Sequence, residues 1–173
     1  MTYGQRRILF VCTGNICRSP AAEVIARQNA ASTALPNGGS LADVVTFISA
    51  GTASWHVGEP MDPRAAAALG RSGYDPAGHL AQHATDNLLS RSDLVLALDR
   101  KHHQILAGRL RSLKTTEGPQ RLEMLRPFGY SDGAVDVADP YYGDEAGFDD
   151  CIAVVERSVN GLLLALTNEV TAR

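Results

Sequence analysis

The chain has 173 residues, the size of one domain with one main core, and its 45% apolar and 20% charged content excludes disordered, fibrous and collagen-like classes. A formal net charge of −3 argues against broad affinity for nucleic acid or an acidic membrane surface, so any anion bound here must be held locally. Three cysteines, an odd count, predict free thiols rather than a disulfide framework, and Cys12 and Cys17 have no second Cys or His pair to complete a zinc site, so no metal is expected.

Arg6-Arg7 imitates the head of a signal peptide, but the apolar run of residues 8–12 stops at Thr13-Gly14-Asn15. It falls far short of the about 20 residues that span a bilayer, so no membrane association and a cytoplasmic location are expected. Ile8-Leu9-Phe10-Val11 reads as a buried strand feeding a turn. Helix formers fill residues 21–31, with Pro20 in the tolerant first turn. Residues 44–48 form a second strand that ends at Ser49-Ala50-Gly51-Thr52. Asp62 caps, and Pro63 opens, a helix running to Gly70, and Thr85 caps a short one through Leu89. Residues 94–98 read as a third strand buried on both faces, Asp99 as the cap of a helix over 101–110, and residues 122–125 as a weaker fourth strand. Ile152, Val155, Val159, Leu162, Leu163 and Leu166 recur at helical spacing within a helix over 149–167. Asn37-Gly38-Gly39 and residues 115–119 are surface loops. Strands alternating with helices predict one mostly parallel, three-layer α/β domain over residues 1–173.

The densest chemical signal is Val11-Cys12-Thr13-Gly14-Asn15-Ile16-Cys17-Arg18-Ser19-Pro20. A loop curling between Cys12 and Arg18 turns successive N–H groups inward, an anion nest at the positive end of a helix, and Arg18 adds a planar fork for two phosphoryl oxygens. The same surroundings favour a thiolate, so Cys12 is the candidate nucleophile. Ser19 reads either as a partner of the Cys12 sulfur or as a helix cap, and Gly14 as a place for positive φ or close backbone approach. A lone cysteine at a strand end is more often a plain buried thiol. Here strand, glycine, helix start, Arg and Ser agree on one mechanism, and no Gly-Lys-Ser/Thr closes the loop to suggest a nucleotide site.

With Ser49-Ala50-Gly51-Thr52, Trp55 and Asp139-Pro140-Tyr141-Tyr142-Gly143, this loop resembles the low-molecular-weight protein tyrosine phosphatases over nearly the whole chain. The resemblance implies a four-stranded parallel sheet flanked by helices, with the phosphate-binding loop after the first strand. It implies no cofactor. The expected substrates are tyrosine-phosphorylated proteins, hydrolysed through a phosphocysteine, with phosphate and vanadate as competing anions.

Displacing a tyrosyl oxygen needs a proton that Cys12 and Arg18 do not give. The residues offer Asp136 and Asp139; the resemblance selects Asp139, although a bare Asp-Pro is most simply a turn, and leaves Asp136 a solvated loop charge. It also places Asn15, Ser49 and His79 in a network that holds the loop, where His79 alone would read as a partly exposed loop histidine. Trp55, Tyr141 and Tyr142 are expected as walls of a cleft for a phenyl ring. Thr13 and His56 fall where the family varies and are expected to tune substrate choice.

Two rival functions are set aside. An arsenate reductase on this fold needs further relay cysteines, but none lies between Gly58 and Asp150, and Cys151 falls in the final helix. A non-catalytic phosphotyrosine reader would have lost a nucleophile or acid, yet Cys12, Arg18 and Asp139 are all present. Cys17 is read either as an oxidative partner of Cys12 or as a structural thiol.

Overall fold

The computed structural model describes residues 5–113 and 121–172, which leaves the expected loop at 115–119 outside the described residues. Four strands, β1 (Arg6–Cys12), β2 (Val45–Gly51), β3 (Leu94–Ala97) and β4 (Arg121–Met124), form one parallel sheet in the order β2-β1-β3-β4. Central β1 is buried on both faces, which is why its sequence shows a continuous apolar run rather than alternation. Ile8 and Phe10 face one core with α1 (Arg18–Ser32), α2 (Pro63–Arg71) and α5 (Glu145–Thr171). Leu9 and Val11 face the other, with Leu89 of α3 (Asp86–Ser90) and Leu106 of α4 (Arg100–Ser112).

The caps read from sequence are in place: the side chains of Asp62, Thr85 and Asp99 accept from the backbone N–H of Arg64, Leu88 and His102. Several boundaries differ. Helix α1 begins at Arg18, which keeps Pro20 within its first turn as expected, and its N-cap is Cys17 without a side-chain cap bond, so Ser19 is not the cap. Helix α5 begins at Glu145 because the Asp144 side chain caps it at Gly147, a signal lying ahead of the first apolar repeat. Strand β4 is a half-exposed edge carrying Arg121 and Glu123, which accounts for its weak apolar pattern. Asn37-Gly38-Gly39 is the expected turn, with both glycines at positive φ.

Sheet order reverses at β1, whose neighbours β2 and β3 lie on opposite sides. In open parallel sheets the loops at the carboxyl ends of such strands frame the binding crevice. The loop after β1 runs from Cys12, the last residue of the strand, to Arg18, the first of α1.

Candidate active site

The loop of residues 13–17 is held through its carbonyls and its one buried amide side chain. The backbone oxygens of Cys12, Thr13, Ile16 and Cys17 accept from the N–H groups of Thr52, Ala53, Asp62 and Ala21 at 2.9, 3.0, 2.8 and 3.2 Å. That of Asn15 accepts from His79 Nε2 at 2.7 Å. Among the described residues, none of the N–H groups of Thr13, Gly14, Asn15, Ile16 and Cys17 has an acceptor. Backbone donors left unpaired in a folded interior are costly and therefore rare, so five in a row mark a place for an anion.

Asn15 is wholly buried and takes the left-handed conformation, φ 58°, which was one of the two roles open to Gly14. Asn tolerates this region better than most residues, and its bonds fix it there. Its Nδ2 donates to Ser19 Oγ and Ser49 Oγ, both at 2.9 Å, and its Oδ1 accepts from Gln82 N at 2.9 Å. Ser49 in turn donates to Glu23 at 2.6 Å. Gly14 serves close approach instead: a Cβ there would sit 2.9 Å from the ring of His56, and one on Gly51 would meet the Thr13 carbonyl at 2.5 Å.

Cys12 Sγ lies 3.0 Å from Ser19 Oγ. The same hydroxyl accepts from Asn15 Nδ2 and lies 3.4 Å from the Ala50 carbonyl, and when Cys12 is the thiolate the Ser19 hydrogen is the one available to the sulfur. Cys12, Cys17 and Cys151 are all buried free thiols; burial raises the pKa of both Cys17 and Cys151, the latter to about 12.

Arg18 is buried, which opposes its charge, while Cys12, Asp139 and Asp99 hold it firmly cationic. Its Nη1 donates to Asp99 Oδ2 at 2.9 Å and to the Val137 carbonyl at 3.0 Å, and its Nη2 donates to Asp139 Oδ2 at 2.9 Å. A guanidinium has five N–H groups, so Nε–H and one Nη2–H remain for a ligand. Asp139 is half-exposed, and its second oxygen accepts from Tyr141 N at 3.1 Å, the Asp-Pro turn and the acid position in one residue.

These groups border a cleft of about 380 Å³. Of the expected loop residues, Thr13, Gly14, Ile16 and Cys17 line it with Cys12 and Arg18, whereas Asn15 is turned into the protein. Trp55, Tyr141 and Tyr142 line its mouth, but as a rim: Trp55 is 76% and Tyr142 95% exposed, with the two tyrosine rings edge to face at 5.1 Å. His56 lines the cleft against Gly14, its Nδ1 2.6 Å from Glu59. Ser49 and His79 meet the loop at Asn15.

Asp136 is not a free solvated charge. Its carboxylate clamps the start of α4, accepting from Arg100 N, Nε and Nη2 at 2.8, 3.0 and 2.9 Å, and the Arg100 contact lowers its pKa. Sequence reasoning missed Glu23, Gln82, Asp99 and His102 as site residues. Asp99 was read only as a cap, and nothing local marks the other three.

A thiol beside a guanidinium, above unspent amides at the head of a helix, suits displacement at phosphorus, and the class defined by fold and site is the cysteine-dependent phosphatases. The model of the family "Low molecular weight phosphotyrosine protein phosphatase" matches residues 7–172, so the chain belongs to that family and is a protein tyrosine phosphatase. It is 41% identical to the low molecular weight protein-tyrosine-phosphatase of Streptomyces coelicolor, over 100% of this chain and 99% of the relative. YfkJ from Bacillus subtilis superposes with a TM-score of 0.80 at 30% identity, covering 98% of this chain and 99% of YfkJ. Vibrio vulnificus Wzb, solved with benzylphosphonate, gives 0.72 at 27% identity over 94% and 99%.

Proposed function

We propose that Cys12, Arg18 and Asp139 hydrolyse phosphotyrosine in phosphorylated proteins of the cytoplasm, with the amides of residues 13–17 as the phosphate cradle. The observation that carries this is the row of five backbone donors without acceptors beside the Cys12 sulfur and the free edge of Arg18. Benzylphosphonate, the ligand of Wzb, joins an aryl group to a phosphonate and so resembles phosphotyrosine in shape.

An entering phosphoryl dianion takes the loop amides and the Nε–H and Nη2–H of Arg18, drawing Nη2 away from Asp139. The Cys12 thiolate attacks phosphorus in line, the P–O bond to the tyrosine breaks, and protonated Asp139 delivers its proton to the leaving oxygen. Charge on the equatorial oxygens is met by donors already in place, and that preorganisation is the main electrostatic contribution. Asp139, now ionised, takes a proton from water as it attacks the phosphocysteine, and the hydroxyl of Ser19 stabilises the departing sulfur. The cleft mouth is aromatic and set above the loop, which favours a tyrosyl over a seryl or threonyl ester.

The test is hydrolysis of phosphotyrosyl, phosphoseryl and phosphothreonyl peptides without added metal, beside thiol-dependent arsenate reduction. Turnover is expected on phosphotyrosine alone and is abolished in Cys12→Ser, which still binds phosphate. Arsenate reduction without peptide hydrolysis would refute the reading.

A further inference from the structure

His102, on the first turn of α4, is wholly buried directly against the catalytic loop. Its Nε2 lies 2.8 Å from Thr13 Oγ1, and its Nδ1 lies 3.0 Å from Asp99 Oδ1, off the line of a hydrogen bond. Asp99 uses that same oxygen to accept from the backbone N–H of His102 at 2.9 Å and its other oxygen to accept from Arg18 Nη1 at 2.9 Å. The first turn of α4 therefore touches both ends of the loop, Thr13 just after the nucleophile and Arg18 at the start of α1.

The proton on the ring can be placed by chemistry. A lone pair on Nδ1 would face the negative Asp99 oxygen 3.0 Å away, so electrostatics favour the tautomer with the hydrogen on Nδ1 even though the contact is not aligned as a hydrogen bond. Burial outweighs the attraction of Asp99 and pushes the ring pKa down to about 4, so the imidazole is neutral near pH 7 and Nε2 is an acceptor. The Thr13 hydroxyl then donates to Nε2. Its one hydrogen is spent on the protein, which leaves the backbone amide of Thr13, not its side chain, to face the anion.

We propose that His102 is a positioning residue of the phosphatase reaction, which accepts the Thr13 hydroxyl and, through Asp99, ties the nucleophile end of the loop to Arg18. This rests on the function proposed above. The Asn15 network holds the middle of the loop from α1 and β2, and the His102 unit holds its ends from the opposite layer. Without the His102 link the nucleophile end keeps its backbone bonds to Thr52 and Ala53 but loses its side-chain tie to the layer that holds Arg18, so small shifts of Cys12 relative to Arg18 weaken the transition state more than the ground state.

The experiment is a double-mutant cycle of His102→Leu and Thr13→Val, with His102→Gln as the conservative variant, its amide oxygen able to stand where Nε2 stands. It reads kcat and KM on a phosphotyrosyl peptide, and orthovanadate affinity through quenching of Trp55, the single tryptophan, at the cleft mouth. Each single change is expected to lower kcat roughly 10-fold to 100-fold, the scale of a sub-ångström to 1 Å misplacement, with KM moving less than about threefold. The double variant should be no worse than the poorer single, because both cut the same link. His102→Gln should retain at least about a third of the parent kcat.

Losses that multiply in the double variant, a Gln variant as poor as Leu, or a Thr13→Val enzyme within about twofold of the parent would each overturn the tether. Should His102→Leu fail to fold, Thr13→Val in the parent and in the His102→Gln background decides alone. A parent inactive on phosphotyrosine would refute the function, not the tether: vanadate, which takes a transition-state geometry on sulfur, should still bind at least about tenfold more weakly to Thr13→Val and nearly as in the parent to His102→Gln. Unchanged vanadate affinity in Thr13→Val would sink it there too.

Discussion

The loop of residues 12–18 and the segment from Asp139 to Tyr142 share one cleft but are held in opposite ways. Asn15 has no exposed surface, and its side chain and carbonyl make four hydrogen bonds to four other residues, Ser19, Ser49, Gln82 and His79. Asp139 is half-exposed and, among the described residues, is bonded only to Arg18 and the Tyr141 amide, and Tyr142 beside it is almost wholly in solvent. The difference follows from the work each part does. A cradle of like-pointing donors around a left-handed residue is strained and persists only when its surroundings over-determine it. An acid that gives a proton in one step and takes one from water in the next needs solvent and freedom to release Arg18. Rigidity is concentrated where charge is bound, and looseness where protons move.

Two substitutions sharpen this contrast. Asp139→Asn should lower the phosphorylation step roughly 100-fold to 10,000-fold with phosphotyrosine and far less with a nitrophenyl ester, whose leaving group needs no proton. Because the residue is exposed, denaturant stability should stay within about 0.5 kcal/mol of the parent. Equal rate losses for good and poor leaving groups in single-turnover kinetics would remove Asp139 from the acid role. Asn15→Ala should instead touch both properties. It places Ala at positive φ and leaves Gln82 N–H without its acceptor, for a stability loss of about 2–4 kcal/mol, with kcat down roughly 100-fold. If urea melts of Asn15→Ala match the parent, the loop is not held as described.

The contiguous part of the site was legible because its meaning lies in spacing: Cys12, Gly14, Arg18 and the helix start sit within a single stretch between β1 and α1. The central strands were legible for a similar reason, since burial on both faces prints an unbroken apolar run. Residues that reach the loop from elsewhere were not. His102 sits among Lys101, His103 and Gln104 on a helix that reads as polar, and only the packing of α4 against the sheet buries it. Glu23 and Gln82 look like surface residues, and become partners only because Ser49 at the end of β2 lies beside α1 and the segment after residue 78. Asp136 was misread because its partner, Arg100, is 36 residues away in sequence. Asp139 needed the family resemblance, since a lone Asp-Pro carries no signal beyond a turn.

The central claim is a phosphate carried on the Cys12 sulfur. In Asp139→Asn the second step lacks its base, so mixing this variant with a nitrophenyl phosphate ester, quenching in acid within milliseconds to seconds and mapping peptides by mass spectrometry tests it most directly. The account predicts phosphate on the peptide containing Cys12, at a stoichiometry approaching one per enzyme and absent when Cys12→Ser is added. Release of nitrophenol with no phosphorylated Cys12 peptide, or with phosphate on another residue, would contradict it.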